Sequence, residues 1–547
     1  MVSHGVYRFG LRLAAASSIF GIILVLFPAV RAEAQADART GLIMARVSAV
    51  EPLSAHGVNL NQVALQAFYS RRNYAPAWDS DGAGLGPRAA AVAALLSSAD
   101  AEGLDPAEYH TAEIASLAGA TADGDRVDRD LLLSDGLFHY VQDASGGKLT
   151  PLQTDERSGL KSGGIDTENA LESAATLDPA SLPAVFAAWP PSTPEYRALK
   201  ATLAVLRPLA AAGGWQALPD GATIRPGGHD PAIPALRLRL IAEGRIAADP
   251  TPSTGAAQTL YAPDLVAAVK DFQGTHGIKP DGTIGKDTRA ALNMPAEDRL
   301  RQVIVNLERA RWAGAPPQGR RVVVNLASYS LNVFQDDHVI LAMSVVDGTA
   351  ENQTPLLETE ITTVVLNPTW TLPPVVLKEL RGHRAAYFAK HGIVRVSDKD
   401  GERYVQPAGP DNPLGLYKFV MPNAQDIYLH DTPDQGKFRF ELRNYSHGCV
   451  RLDNAKGLAE LLLDDKAASL PESLDDMQKT GKLRLIALSQ PVPVSLVYRT
   501  AWLDPNGKLV LGLDPYGRDA LLWTALHPAA APTAKTDPGN ATAARTL

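Results

Sequence analysis

One short run carries the residue types of a covalent catalyst. Cys449 is the only cysteine among 547 residues, and it lies in the run Ser446 to Arg451. A single cysteine cannot close a disulfide within its own chain, so in an exported protein it indicates pairing with another molecule or a free reactive thiol. A buried structural cysteine is the third possibility. The polar residues around Cys449 make a poor apolar pocket, so the run predicts a nucleophilic thiol.

A nucleophilic thiol needs a base that takes its proton, and the sequence offers two histidines. His430 follows the strand-like pair Tyr428-Leu429, 19 residues before Cys449, so it is expected at the end of a strand. His447 is only two residues from Cys449. A side chain that close in an extended or turning segment points away from the thiol. The pattern therefore favours His430 as the base.

The remaining residues of the run have predicted parts of their own. Gly448 has no side chain, so a substrate carbonyl can come close, and the N–H groups of Gly448 and Cys449 are expected to face an oxyanion. Arg451 adds a positive charge that favours the thiolate or binds a substrate carboxylate. Ser446 and His447 are expected to shape the loop. The predicted chemistry is acyl transfer through a thioester formed by a thiolate.

His430 followed by Ser446 to Arg451 resembles the active-site signature of L,D-transpeptidases with a YkuD-type catalytic domain. The resemblance implies that Cys449 attacks a carbonyl of a donor stem peptide, that His430 serves as base and then acid, and that an acceptor amine takes the acyl group. Such transfer cross-links peptidoglycan in cell-wall biogenesis and supports cell shape. The resemblance also implies that carbapenems acylate the same cysteine.

The residue after His430 departs from the smaller family members. His430-Asp431-Thr432 stands where they have His-Gly-Thr, a variant that resembles the large Gram-negative group. The carbonyl and the side chain of Asp431 are both candidates for orienting His430.

Two other functions remain open on the sequence. With water in place of the acceptor amine, the same site would serve an L,D-carboxypeptidase or peptidase, although the order and spacing of the cysteine and histidine match neither papain-like nor caspase-like enzymes. A non-catalytic peptidoglycan-binding protein with a degenerate site is the second rival, and intact His430 and Cys449 argue against it. No cofactor or metal is expected. His229 and His276 lack a second ligand at a metal-binding spacing and are interpreted as solvated.

Composition limits the partners and the number of domains. The length predicts about two to four domains, and a hydrophobic content of 45% supports globular folding. A net charge of −8 offers no general basic surface for nucleic acid or acidic membranes. The expected partners are peptidoglycan stem peptides and glycan strands, without nucleic acid. Partners in cell-wall synthesis cannot be named from the sequence.

Residues 1–34 have the pattern of a secretory signal peptide. A basic start precedes a largely apolar run at 13–30, and residues 32–34 form a small-x-small cleavage site. The run is long enough for a retained anchor, but its proline and the cleavage site favour removal. No later stretch is long and apolar enough to span a membrane, so the mature chain is expected in the periplasm without a membrane span.

Helical periodicity dominates residues 35–212, as in Val63, Leu65 and Phe68, so this region is predicted to be a helical domain. It resembles the scaffold domain of the large Gram-negative L,D-transpeptidases, and the alternative is an accessory helical domain. The Gly/Pro-rich segment at 213–231 is interpreted as a linker.

A small helical module is predicted at 232–296. Leu265, Val269 and Phe272 form an amphipathic stripe. Together with residues 277–288, this stripe resembles the peptidoglycan-binding-1 module. The alternative is a helical linker domain whose glycines and aspartates only make turns.

From residue 320 the pattern changes to alternation, which predicts strands. Residues 300–495 are therefore predicted to form a β-sandwich, the fold that the resemblance also implies. A basic, polar insertion at 375–410 interrupts the strands, and the resemblance implies a capping subdomain there, with a solvated loop as the alternative. Trp370, beside prolines, is a packing residue or a substrate platform, and packing is favoured.

The C-terminal part is predicted to contain a hairpin and a disordered tail. A hairpin is expected around Asp504 to Gly507 within a C-terminal extension at 496–525, and Pro515 to Asp519 resembles the family's extension. Residues 526–547 are rich in Ala, Pro and Thr and are predicted to be disordered. The predicted fold class is multidomain α+β, with a helical scaffold domain, a small helical peptidoglycan-binding module and a β-sandwich catalytic domain with a capping insertion.

Overall fold

A computed structural model describes residues 38–78, 84–160, 163–248, 255–314, 316–399 and 401–528. The signal peptide predicted at 1–34 and nearly all of the predicted tail lie outside the described residues. Within the described part, none of the helices combines the length and the apolar character needed to cross a membrane. The chain divides into two compact units, the first Met1–Asp100, Leu104–Val141 and Asp166–Ala187, the second Ala101–Gly103, Gln142–Ile165 and Ala188–Leu547.

The helices carry the labels α1 to α19 in chain order. They are α1 (38–47 within the described residues), α2 (Gln62–Arg71), α3 (Pro87–Ser97), α4 (Thr111–Ser116), α5 (Asp123–Gly146), α6 (Pro151–Thr154), α7 (Thr167–Thr176), α8 (Leu182–Ala187), α9 (Pro194–Ala211), α10 (Ile233–Ala242), α11 (Ala256–Thr259), α12 (Pro263–Gly274), α13 (Lys286–Asn293), α14 (Ala296–Trp312), α15 (Pro374–Glu379), α16 (Arg384–His391), α17 (Ala455–Leu462), α18 (Leu474–Lys479) and α19 (Arg518–Leu526).

The strands carry the labels β1 to β16. They are β1 (Ser54–Ala55), β2 (Val58–Asn59), β3 (Arg320–Asn325), β4 (Ser330–Gln335), β5 (His338–Gly348), β6 (Leu357–Leu366), β7 (Trp370–Thr371), β8 (Val394–Asp398), β9 (Gly401–Gln406), β10 (Tyr417–Val420), β11 (Leu429–His430), β12 (Asn444–Ser446), β13 (Val450–Leu452), β14 (Arg484–Val497), β15 (Ala501–Leu503) and β16 (Leu509–Leu511).

Within its described residues, the first unit is built of helices and the two-residue strands β1 and β2. Helix α2 begins at Asn61, whose side chain accepts the N–H of Ala64, because an N-cap side chain satisfies a backbone donor that the helix itself leaves unpaired. Leu65 and Phe68 on one face of this helix are buried. The helical prediction for this region is confirmed.

Part of the predicted linker at 213–231 is packed into the small helical module. Leu218 and Ile224 are buried with Leu265 and Phe272 in one apolar core, and Ile224 pairs with Ile284 in an isolated bridge. The linker interpretation is therefore wrong for these residues. Two isolated apolar side chains in a Gly/Pro-rich segment are enough to anchor the segment to the core of the module.

His276 is buried rather than solvated. Its ring stacks on Phe272 with the ring centroids 3.8 Å apart, and Nδ1 donates to the Phe272 carbonyl at 2.7 Å. Burial, together with the nearby charge of Arg299, lowers its pKa well below the ordinary value. The solvated interpretation holds only for His229, which is exposed and contacts the Thr259 hydroxyl at 3.1 Å.

The β-rich domain is built on a nine-stranded sheet in the order β12-β5-β13-β11-β10-β6-β14-β3-β4, and β4 also pairs with β5. The hydrogen-bond ladder therefore closes on itself, so the opposing layers predicted as a sandwich are halves of one closed sheet. The mixed α+β, multidomain class is confirmed. Buried side chains such as Val324, Phe419, Leu429 and Val450 fill the interior.

Helix α14, whose residues from 300 on fall within the predicted catalytic domain, packs outside the interior of the closed sheet. Leu300 and Leu307 of α14 pack with Leu199 and Leu203 of α9, in a cluster separate from the sheet interior.

The insertion at 375–410 contains α15, α16 and the strands β8 and β9, which join β7 in a three-stranded sheet. Trp370 is buried in its apolar cluster, as the packing interpretation predicts.

The C-terminal hairpin is present as β15 and β16, but the helix α19 at the predicted end of the extension was not expected. Tyr516, just before this helix, is buried and donates its hydroxyl to the Gly348 carbonyl at 2.7 Å. The extension therefore packs against the loop that follows β5.

Candidate active site

Two parallel strands of the closed sheet bring the candidate residues together. In the pairing of β11 with β13, Leu429 is opposite Val450 and His430 is opposite Arg451. Leu429 and Val450 are buried in the interior. Because side chains alternate along a strand, His430 and Arg451 lie on the other face of the sheet. Cys449 immediately precedes β13 and so begins this outer-face group.

The orientation of His430 is fixed by the backbone. Its Nδ1 donates to the carbonyl oxygen of Asp431 at 2.6 Å, and the carbonyl of Pro413 is a second backbone acceptor beside the ring. The Asp431 carboxylate instead accepts the N–H of Leu416 at 2.8 Å, and burial raises its pKa. Of the two candidates for orienting the imidazole, the carbonyl makes the contact.

His430 is neutral over the physiological range. Burial, reinforced by the positive charge of Arg451, lowers the pKa of His430 to about 3, and hydrogen bonding to the carbonyl of Asp431 offsets this only in part. A neutral imidazole with Nδ1 protonated is the form that accepts a proton through Nε2. The site therefore holds His430 in the unprotonated form that can accept a proton, although so low a pKa makes it a weak base toward the thiol.

Cys449 is the free thiol of the site, and it is a protonated thiol rather than a thiolate. Burial raises its pKa above the ordinary value, and hydrogen bonding to Tyr428 and the positive charge of Lys418 only partly oppose this. The predicted thiolate is therefore wrong for the resting site, since the loss of hydration outweighs the nearby positive charge. Sγ faces the carbonyl oxygen of Asp426 at 3.9 Å.

Tyr428 lies near both Cys449 and His430. Its ring centroid lies 5.6 Å from that of His430, and its side chain is close enough to Cys449 and Trp370 for both to act on the pKa of its phenol. Burial raises the pKa of the Tyr428 phenol, so its hydroxyl stays protonated and can donate. Sequence analysis did not select Tyr428, although its place two residues before His430 in a strand is the signal that it shares that face.

Hydrogen bonds fix the shape of the loop at residues 446–451, which contains Cys449 and is the candidate nucleophile loop. Ser446 Oγ accepts the Gly448 N–H at 3.0 Å and donates to the Cys449 carbonyl at 2.5 Å. Thr354 donates its hydroxyl to the Gly448 carbonyl at 2.8 Å. The Gly448 N–H is therefore already bonded, which contradicts its predicted use as an oxyanion donor. Gly448 is needed for its φ of +118°, a conformation that side chains rarely adopt.

His447 contacts the insertion. Its Nε2 lies 3.0 Å from Oε2 of Glu379, the last residue of α15, and both side chains are partly exposed. This contact joins the nucleophile loop to the insertion. Glu379 was not identified from the sequence, because nothing in this short helix indicates which residue of another segment it contacts.

Two other features of the described residues are separate from this site. His56, Asp125 and Asp128 have potential metal ligand atoms within 4.8 Å of one another, in the first unit. A cleft of about 1200 Å³ lies in the second unit among residues that include Arg321 and Trp502. Neither contains a residue of the Cys449 loop.

Comparison with protein families assigns the β-rich domain. Residues 319–478 match the family described as the L,D-transpeptidase catalytic domain, YkuD. This chain carries an L,D-transpeptidase catalytic domain. Residues 63–203 match the family described as "Scaffold domain", and residues 229–292 match the "Putative peptidoglycan binding domain". The resemblance stated from the sequence is thereby confirmed for the transpeptidase domain and the binding module.

A "Putative L,D-transpeptidase" of Haemophilus influenzae is 34% identical over 220 residues, which cover 36% of this chain and 44% of that protein. The chain thus spans less than half the length of this relative. A solved L,D-transpeptidase from Mycobacterium smegmatis has 14% identity, covering 34% of this chain and 61% of its own, with a TM-score of 0.19. A solved L,D-transpeptidase from Xylanimonas cellulosilytica has 16% identity, and the match covers 51% of this chain and 99% of that chain, with a TM-score of 0.18. The assignment of the L,D-transpeptidase domain comes from the family match.

Proposed function

We propose that this protein is an L,D-transpeptidase that forms peptidoglycan cross-links through a cysteine acyl-enzyme. The observation that carries the proposal is the meeting of Cys449, Tyr428 and the neutral His430 on the outer face of one strand pair. The family match of residues 319–478 supports the reaction class.

In the first step, Cys449 Sγ attacks the carbonyl of the L-centre residue of a donor stem peptide. The thiol proton passes to Nε2 of His430 as the S–C bond forms, because the resting thiol is protonated and needs a base during attack. Sγ must turn from the Asp426 carbonyl toward the imidazole for this transfer, and hydrogen bonds of this kind commonly tighten only when substrate is bound.

The tetrahedral oxyanion needs donors that the loop does not already use. The Gly448 N–H is bonded to Ser446, so we assign the oxyanion to the Cys449 N–H and the Tyr428 hydroxyl. One such donor contributes roughly 3 to 4 kcal/mol in other acyl-transfer enzymes. Collapse of the intermediate breaks the C–N bond, and His430 returns the proton to the departing amine of the terminal D-residue.

In the second step, the amine of an acceptor stem attacks the thioester. A new C–N bond forms, the C–S bond breaks, and the amine proton passes through His430 to the leaving sulfur. Transfer to water instead would make the protein an L,D-carboxypeptidase. Arg451 lies on the outer face beside His430, where its charge adds to the effect of burial in keeping the imidazole neutral.

The other domains support action on the cell wall. The match at 229–292 to a peptidoglycan-binding family supports peptidoglycan as the ligand of that module. The pattern at residues 1–34 supports export, and we place the mature protein in the periplasm.

Mass spectrometry of products from purified stem peptides tests the proposed reaction. Wild-type protein is expected to give cross-linked dimers, and the Cys449→Ala variant is expected to give none. Tripeptides without dimers would replace the transpeptidase assignment with the carboxypeptidase. No product from either incubation would favour a non-catalytic, peptidoglycan-binding protein.

A further inference from the structure

Lys418 lies beside the catalytic pair on the outer face of the sheet. In the antiparallel pairing of β10 with β11, Lys418 is directly opposite His430. Its neighbours Tyr417 and Phe419 are buried in the interior. Because side chains alternate along a strand and directly opposed residues share a face, the Lys418 and His430 side chains are on the same side.

The ammonium of Lys418 is held close to the nucleophile. Nζ lies 3.7 Å from the centroid of the Tyr428 ring, a cation–π contact. The hydroxyl of the same tyrosine lies close to Cys449. Lys418 and Cys449 are near enough for the charge of each to favour the charged form of the other. The ammonium is therefore close enough to the sulfur for its charge to act on a substrate bound there.

Lys418 takes part in none of the ion pairs found among the described residues. The acid whose charge acts on it is Asp426, with which it forms no ion pair, and the guanidinium of Arg451 is on the same face. Burial without a paired counter-ion disfavours the charged ammonium. A half-buried ammonium with donors to spare gains most from a ligand that brings its own negative charge.

We propose that Lys418 determines donor specificity by binding the α-carboxylate of the terminal D-residue that leaves during acylation. This inference rests on the proposed function, since that carboxylate belongs to the departing residue. It lies one residue beyond the attacked carbonyl, so a cation that binds it must be close to Cys449 Sγ, as Lys418 is. A carboxylate between Lys418 and the sulfur site also orients the leaving amine toward the proton that His430 returns.

The proposal separates the two half-reactions. The terminal residue has left once the thioester forms, so Lys418 acts on acylation by the donor and not on capture of the acyl group by the acceptor. A merely structural role would lower the rates with all donors by a similar factor.

Paired donors provide the test. One stem peptide carries a free terminal α-carboxylate and the other the matching carboxamide, and the rate of Cys449 acylation by each is followed by intact-protein mass spectrometry. Full-length wild type is expected to prefer the carboxylate at least about tenfold, the size of one charge-assisted hydrogen bond. Lys418→Met is expected to bring the ratio close to one, and Lys418→Arg to retain most of it. Lys456→Met is the matched control, because Lys456 on α17 is ion-paired with Asp475 at 2.6 Å, and it should keep the wild-type ratio.

The ratio of the two acylation rates is insensitive to a loss of folded protein, since both donors are tested on the same protein preparation. A Lys418→Met variant that keeps the wild-type preference would overturn the role of Lys418 and leave the proposed function standing. Absence of acylation of the wild type by both donors would overturn the proposed function itself.

Discussion

The imidazole Nδ1 of His430 lies 2.6 Å from the carbonyl oxygen of Asp431, the next residue in the chain. This bond to a backbone oxygen fixes which imidazole nitrogen carries the proton. No side chain at position 431 is needed for that purpose. The Asp431 carboxylate is used elsewhere, as acceptor of the Leu416 N–H. The base is therefore oriented by the local course of the chain after β11.

Asp431→Asn tests this separation of roles. The amide oxygen of asparagine can still accept the Leu416 N–H, and the backbone carbonyl stays in place, so we expect acylation of Cys449 within about threefold of wild type. The measurement is the single-turnover acylation rate. A loss of a hundredfold or more would show that the carboxylate, and not the carbonyl, supports the base.

The two histidines are expected to differ sharply when each is replaced by alanine. His430→Ala removes the base and should lower the acylation rate by about 10²-fold or more. His447→Ala removes only the contact with Glu379, a partly exposed pair of small energetic value, so its loss should be less than about tenfold. Near-wild-type acylation by the His430 variant would disprove our choice of base.

The pH dependence of acylation should reveal the neutral imidazole. Because burial lowers the pKa of His430 to about 3, its base form persists as the pH falls through 6.5, where an ordinary imidazole becomes protonated. The rate of acylation by a neutral electrophile should therefore show no histidine step between pH 5 and 8. A step near pH 6.5 that disappears in His430→Ala would contradict the assigned state of this residue.

On the alkaline side, the raised pKa of Cys449 predicts that the thiol stays protonated well above neutral pH. Alkylation of Cys449 by iodoacetamide in His430→Ala should therefore keep rising beyond the usual pKa of a thiol. Saturation of that rate below pH 8 would indicate a stabilised thiolate instead.

Gly448→Ala is expected to damage the nucleophile loop through its backbone. A Cβ at this position would meet Ile427 at an ordinary 3.6 Å, but φ is +118°, so the strain is conformational and costs about 1 to 3 kcal/mol. Shifts of the bonds to Ser446 and Thr354 should slow acylation by at least about tenfold, measured beside thermal unfolding. Gly274→Ala, at a helical glycine with nothing within 4 Å of the added Cβ, is the control and should leave acylation unchanged.

The pattern of apolar residues was enough to predict most of the secondary structure around the site. Alternation marks β3 to β6, and helical spacing marks α17, because each has one face in the interior. The hairpin of β8 and β9 was not predicted from the sequence. Its residues stand in a basic, polar insertion, and the apolar residues of this insertion pack only in a small cluster around Trp370.

Burial decided the features that the sequence could not provide. The raised pKa of Cys449 and the lowered pKa of His430 come first from lost hydration, which depends on surrounding atoms from distant segments. Lys418 and Glu379 reach the site from other elements, and neither stands in a recognisable motif. The Gly448 N–H looked free in the sequence because the side chain that accepts it, Ser446, is equally able to face solvent.

The central claim, that Cys449 is the acyl-forming nucleophile, is tested most directly by intact-protein mass spectrometry after incubation with a carbapenem. We predict one covalent adduct on the wild-type protein and none on Cys449→Ala. An unmodified wild-type protein, or an adduct that persists in Cys449→Ala, would contradict the claim.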